Sequence, residues 1–288
     1  MVVKELESPR AFLESTASLL LEDEARNNLI LGIAGTLDQH PSVYREFGLW
    51  LIEDGGGQVV GAALQTPPYN LVVGRPRNDD ALVALADSLA AQGAELPGVT
   101  GAVPEVDTFA ECWSARTRLP PRRRMAHLVY RLTELRPAEG VRGHARTAVE
   151  ADRQLLVEWV SAFAAEAVPE GAPGRGTERT VDARLRAGAG GFVIWDDDGP
   201  VSLAGWGGRT PNGVRIGPVY TPPDHRRRGY GSAVTTAVTA AQLAAGRRFC
   251  FLYTDLANPT SNKIYADIGY EPVCDAIDYA FELESPRF

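Results

Sequence analysis

The sequence predicts an α/β chain built as two similar halves. Three observations lead there. The chain has 288 residues, about twice the usual size of one domain. A polar stretch near its midpoint, LRPAEGVRG, is broken by Pro137 and Gly140. Strand-like and helix-like stretches alternate on both sides of it in similar order. The expected division is residues 1–135, a linker at 136–143, and residues 144–288.

The second half is the more regular. Residues 144–149 read as a short strand, and Asp152 as the cap of a helix through LLVEWVSAFAAE. A loop is expected at residues 169–176 and a short helix at 181–187. Residues 192–195 and 201–207 are strands joined by a turn at 196–199. Pro211-Asn212-Gly213 turns the chain into a strand at 214–220. The helix after Gly229 runs to Ala245 and stops at Gly246, which suits a left-handed C-terminal cap. A strand at 249–253, a short helix at 261–268 closed by Gly269, and two strands on either side of Asp275 complete the half.

The first half echoes this pattern without repeating its residues. Helices are expected at 9–21 and 24–37. A hairpin follows at 49–52 and 59–64 around Gly55-Gly56-Gly57. Short strands at 71–73, 98–102 and 127–132 alternate with helices at 79–92 and 106–117. The shared order suggests a duplicated fold.

Composition sets bounds. The chain is 44% hydrophobic and 23% charged, an ordinary globular mix. Its formal net charge of -8 argues against a general nucleic-acid or acidic-membrane binder, which needs a cationic face. No apolar run is long enough to span a bilayer. Cys112, Cys250 and Cys274 are odd in number and widely spaced, so neither a disulfide framework nor a zinc site is expected. The N-terminus MVVKELESPR has no signal-peptide pattern, and a reducing cytoplasm is the expected home.

The most informative stretch is TPPDHRRRGYGSA, residues 221–233. Pro222 and Pro223 end a strand. Arg226, Arg227 and Arg228 precede Gly229, Tyr230, Gly231 and Ser232 at the mouth of a helix. A helix start leaves backbone N–H groups unpaired at the positive end of the dipole. Glycines let a ligand approach the main chain, and arginines add charge. The pattern suits a phosphate. It is not a P-loop, because no lysine is present, and Val234 stands where a dinucleotide fingerprint needs glycine or alanine. RGYG begins like an RNA-binding RNP1 motif, but SAVT replaces the aromatics that would stack bases.

R-x-x-G-x-G after a strand resembles the GNAT N-acetyltransferase superfamily, and VYTPPDHRRRGYGS looks like a bacterial branch with a degenerate N-terminal half. NPTSNKIYADIGYEPV resembles the family's second signature segment. Residues 214–284 read as family-like, and residues 149–213 match by pattern only. The resemblance implies tandem domains, each a mixed, mostly antiparallel twisted sheet flanked by helices. It implies that strands 4 and 5 of the second domain splay apart around coenzyme A. Arg226, Gly229 and Gly231 fill the pyrophosphate motif. The backbone of Val219, Tyr220 and Thr221 would hold the pantetheine arm by strand augmentation.

The implied activity is acetyl transfer from acetyl-CoA to a primary amine, by direct attack in a ternary complex. A non-catalytic acyl-CoA-binding module is the alternative. Tyr265 matches the family tyrosine that gives a proton to the departing thiolate. Asn258 either bonds the cofactor arm or caps a helix, and Ser261 and Asn262 are further cofactor contacts. Three carboxylates qualify as base: Glu166 after an apolar helical stripe, Asp255 at a strand end, and Glu170 in the loop. A water relay is a fourth route. Cys250 reads as core rather than nucleophile, and Trp159, Trp195 and Trp206 as core or acceptor-pocket residues. In the first half the matching turn, GRPRNDDALV, places Asp79 and Asp80 at a helix start, where they repel phosphate. That half is expected not to bind coenzyme A. The acceptor, a small molecule or peptide amine, is not written in the sequence.

Overall fold

The computed structural model describes residues 1–167, 176–186 and 188–282. In chain order the strands are β1 (Val2–Glu5), β2 (Gly48–Glu53), β3 (Val59–Gln65), β4 (Leu71–Val73), β5 (Gly98–Ala102), β6 (Pro121–Leu132), β7 (His144–Thr147), β8 (Gly190–Asp196), β9 (Pro200–Gly207), β10 (Gly213–Tyr220), β11 (Phe249–Asp255) and β12 (Glu271–Phe281). The helices are α1 (Pro9–Leu20), α2 (Asn28–Gln39), α3 (Asp80–Ala91), α4 (Glu105–Thr117), α5 (Arg153–Ala167), α6 (Thr177–Arg186), α7 (Tyr230–Ala244) and α8 (Pro259–Asp267).

These elements gather into two compact units: Met1–Val129 with the C-terminal segment from Val273, and Tyr130–Pro272. The division differs from the expected one at both ends. The last strand belongs to the first unit, where β12 pairs antiparallel with β5 from Ala276–Ala102 to Ala280–Gly98. The residues expected as a linker are packed into the second unit. Arg136 N–H donates to the Ile268 carbonyl (3.0 Å), Ala138 N–H to Thr236 Oγ1 (3.3 Å), and Arg142 pairs with Asp197 (2.8 Å). Polar composition marked the segment as a loop, but a loop with donors and acceptors in reach is fixed by them.

The first unit's sheet runs β1-β2-β3-β4-β5-β12-β6. Its alternating strands bury both faces. Leu49, Ala62, Leu64 and Val72 pack against Phe12, Leu20, Ile30 and Leu37 of α1 and α2. Trp50, Ile52, Ala63, Leu71 and Val73 point the other way, toward Leu82, Leu85, Phe109 and Trp113 of α3 and α4. Ile277 and Phe281 of β12 join that second core. A single long strand replaces the two expected around Asp275. The edge strand β1 and the arginine-rich start of β6 lack the apolar alternation that marks strands in sequence.

The second unit repeats the pairing scheme. β7-β8, β8-β9 and β9-β10 are antiparallel and β10-β11 is parallel, as β1-β2, β2-β3 and β3-β4 are antiparallel and β4-β5 parallel in the first. Phe192, Ile194, Leu203 and Tyr220 face Leu156, Trp159, Val160 and Val181 of α5 and α6. Each unit is thus a mixed, mostly antiparallel sheet flanked by helices, in tandem. Among the described residues no helix is long and apolar enough to cross a membrane, and no group of three or more His, Cys, Asp or Glu side chains is placed to hold a metal.

Candidate active site

Two features of the second unit mark the candidate site. The first is the parting of β10 and β11. Their parallel pairing covers Gly213–Phe249, Val214–Cys250 and Arg215–Phe251 and stops there. Beyond it β10 bends away, with a register shift against β9 between Ile216 and Val219. A bulge of this kind turns a strand and ends its ladder. Gly217 sits in it at φ 142°, a backbone value that side chains rarely adopt, and Pro218 brings no N–H.

The second feature is the turn at the open end of the gap. Gly229 is the N-cap of α7 in the left-handed region (φ 83°), and Arg227 is also left-handed (φ 63°). The first α7 amide with a protein acceptor is Ala233, which donates to Gly229 O (3.0 Å). Among the described residues the amides of Arg227 to Ser232 have no protein acceptor. They form a nest of donors at the positive end of a 15-residue helix. A Cβ at Gly229 would meet Val141 at 2.9 Å, whereas one at Gly231 would meet only Thr221 Oγ1 at 3.5 Å.

Arg226 is anchored beside this turn. Its Nε donates to the Thr221 carbonyl (2.9 Å), and Nη2 reaches both oxygens of Glu166 (2.8 and 2.7 Å). Its guanidinium stands 5.9 Å from the Tyr220 ring centroid. The Tyr220 hydroxyl donates to Glu166 (3.4 Å), and its ring packs on Trp159 (6.2 Å). Burial, then the Glu166 charge, raises the Tyr220 pKa above its ordinary value. The Tyr220 carbonyl accepts from Ser202 Oγ (3.0 Å). Tyr230 turns its side chain away from the turn; its hydroxyl donates to Asp197, so only its amide faces a ligand at the helix start.

On the β11 side, Tyr265 is 9% exposed and packs between Tyr130 (6.2 Å) and Tyr270 (6.0 Å). Burial pushes its pKa to about 12. Among the described residues its hydroxyl makes no hydrogen bond. Asn258 is the N-cap of α8, its Oδ1 accepting from Ser261 N–H (3.0 Å). Asn262 Nδ2 donates to the Asp255 and Leu256 carbonyls (3.3 Å each), while its Oδ1 is buried without a donor. Asp255 Oδ1 accepts from Ala257 N–H (2.8 Å), holding the turn after β11.

The remaining sequence-derived residues fall as follows. Cys250 is fully buried in the core, and burial pushes its thiol up to about 12. Trp159 is core. Trp195 donates to the Arg142 carbonyl (2.9 Å), and Trp206 lies under Arg209 (5.1 Å). Glu170 lies outside the described residues, as does the expected loop at 169–176 apart from Gly176. The sequence missed Arg184, which stacks on Phe192 (5.2 Å) and donates to the Gly217 carbonyl (2.8 Å). The signal was the pair Gly205 and Gly207 in β9, where any Cβ would strike Arg184.

Three antiparallel pairings, a parallel pair that parts, and a left-handed glycine opening a helix define the GNAT fold. The FR47-like protein family model matches residues 194–277. Among solved structures, a GNAT-family acetyltransferase from Colwellia psychrerythraea is similar at TM-score 0.59 and 14% identity, over 98% of this chain and all of the other. A tandem GNAT protein from the clavulanic acid biosynthesis pathway gives TM-score 0.61 at 15% identity, over 96% and 98% of the two chains. A GCN5-related N-acetyltransferase from Sphaerobacter thermophilus gives 0.61 at 15%, over 96% and 94%. No curated protein matches the sequence. The chain therefore resembles the superfamily in fold throughout and in sequence over much of the second unit.

Proposed function

We propose that the second unit is an acetyl-CoA-dependent N-acetyltransferase acting on a primary amine, and that the first unit carries no cofactor. One observation carries this reading: β10 and β11 part after Arg215 and Phe251, and the gap opens toward a turn of unpaired amides at a helix start. The groups present suit coenzyme A. The amides of Arg227, Arg228, Gly229, Tyr230, Gly231 and Ser232, with Arg226 beside them, would hold the diphosphate. Backbone of Val219, Tyr220 and Thr221 would pair with the pantetheine arm, and Asn258, Ser261 and Asn262 would line its other side, Asn262 through the Oδ1 that lacks a donor.

Bound there, the cofactor supplies an acyl thioester. An amine attacking it would form a bond to the acyl carbon as the C–S bond broke, so the chain's own groups would have to take one proton from nitrogen and give one to sulfur. Tyr265 is the proposed donor to sulfur. With its pKa at about 12 it is neutral at working pH and carries a proton that the departing sulfur can take. Glu166 is the proposed acceptor of the amine proton. Arg226 now engages it; a diphosphate drawing on Arg226 would release the carboxylate, tying base activity to cofactor arrival. The buried or half-buried free thiols suit a reducing cytoplasm.

The test is calorimetric titration of acetyl-CoA into wild type and Gly231→Asp, with thiol release measured across an amine panel. Equal affinity in the two proteins would remove the diphosphate site. Tight binding without thiol release to any amine would favour a non-catalytic acyl-CoA-binding module.

A further inference from the structure

Arginines of the second unit differ in whether a carboxylate stands beside them. Arg142, Arg146, Arg153, Arg186 and Arg226 all have carboxylate partners. Arg209, Arg215 and Arg247 have none among the described residues. These three gather at the turn between β9 and β10. Arg215 sits opposite Gly207, and its guanidinium lies against Gly208, where a Cβ would meet Nη2 at 3.0 Å. Arg209 is the next residue, stacked on Trp206. Burial, then the charge of Arg247, lowers the Arg209 pKa from its ordinary value. Nη1 of Arg215 and Nε of Arg209 are both buried with no acceptor.

A buried guanidinium N–H without an acceptor is unfavourable, and like charges close together add to that. Among the described residues no acceptor meets these N–H groups and no carboxylate balances the charges. An anion would offset both, and guanidinium forks match carboxylate and phosphate alike. The position is equally informative. Arg215 is the last β10 residue paired with β11, so it marks the vertex from which the strands diverge. The diphosphate turn lies past the other end of β10. A thioester reaching down the gap from that turn points toward the vertex.

We propose that the acceptor is an amine that also carries a carboxylate or phosphate group, and that Arg215, with Arg209 beside it, binds this group. The assignment rests on the acyl-transfer reading. Arg215 determines specificity; it makes and breaks no bond. Alternating approach follows, with the cofactor entering from the open end and the acceptor anchored at the vertex.

Two probes separate the chemistries: inorganic phosphate and succinate, titrated into the protein saturated with CoA so that the diphosphate site is filled. Tryptophan fluorescence reports binding, with Trp206→Phe identifying the responding ring. Wild type should bind one or both probes saturably. Arg215→Gln should weaken that binding by about 30-fold or more and Arg209→Gln by less, with CoA affinity unchanged. The acceptor arm compares an amino acid with its amide. Arg215→Gln should cut kcat/KM for the acid about 30-fold through KM and leave the amide nearly unchanged. Absent probe binding, or equal binding by wild type and Arg215→Gln, overturns the inference. So does transfer that ignores the acceptor's charge. Retained anion binding with no transfer to any amine overturns the acceptor assignment together with the acyl-transfer reading, and leaves an arginine anion site in place.

Discussion

The two units answer the same strand–turn–helix problem in opposite ways. In the first, the turn after β4 is closed upon itself. Gly74 N–H donates to Ala62 O (2.9 Å), Arg75 N–H to Asn27 Oδ1 (2.9 Å) and Arg77 N–H to Val60 O (2.8 Å). Asp79 and Asp80 then occupy the helix start. In the second, the amides from Arg227 to Ser232 are unspent and no acid stands among them. The parallel strands differ in step. β4 ends one residue after its last partner pair, whereas β10 continues from Ile216 to Tyr220 with no partner in β11. The lesson is that a shared fold confers no shared chemistry. What separates the units is which backbone donors are already satisfied.

The comparison can be broken most directly at Gly231. It has room for a side chain, so Gly231→Asp adds negative charge without strain, while Gly231→Ala is the neutral control. Acetyl-CoA affinity should fall by ~100-fold or more in the aspartate variant and little in the alanine variant, by calorimetry. Gly229→Asp is the poorer choice, since its φ of 83° and the nearby Val141 confound charge with folding. Wild type should bind one acetyl-CoA per chain; two would erase the contrast between the units.

Tyr265→Phe should lower kcat by about 100-fold and leave the acetyl-CoA Kd within roughly threefold. The neutral phenol is the working form, and burial raises its pKa to about 12. It therefore stays protonated as pH rises, and kcat should show no descending limb from this group below about pH 11, whereas an ordinary phenol would produce one near ~10. A limb near 10 that vanishes in the phenylalanine variant would place Tyr265 in a wetter site than the one described.

Two smaller effects sharpen the contrast. Asp278 accepts from Thr100 Oγ1 (2.6 Å) and meets His127 Nε2 (3.0 Å) inside the first unit. Asp278→Ala should cost about 1–2 kcal/mol in denaturant unfolding without changing acetyl-CoA affinity. Glu166→Gln should tighten acetyl-CoA binding by about two- to fivefold, because it frees Arg226 from a half-exposed pair of the kind worth ~1 kcal/mol or less. Its kcat should fall if Glu166 takes the amine proton. Unchanged affinity would show that Arg226 never contends with the diphosphate.

Much of this was legible in the sequence, for local reasons. The turn at residues 226–232 announced itself because glycine, proline and arginine act on their immediate neighbours. The acids at Asp79 and Asp80 were read correctly as a helix start. Asn258 showed both its roles in sequence, and the capping bond is the one the structure contains. Long-range choices were not legible. Nothing in EPVCDAIDYAF says that it pairs with β5 rather than staying in its own half. The Glu166–Arg226 pair joins residues 60 apart, and Arg215 looked like any strand arginine until its lack of a carboxylate partner was visible. Partners distant in sequence leave no trace in spacing.

The strand β12 has a consequence for how the protein is made. The first unit closes only when β12, made after the whole of the second unit, slots in between β5 and β6. During synthesis the earlier strands of that unit must therefore wait, with the edges of β5 and β6 unpaired, until β12 has been made. A stop codon after Tyr270 would spare the proposed cofactor turn and Tyr265 yet leave the other unit unable to complete its sheet.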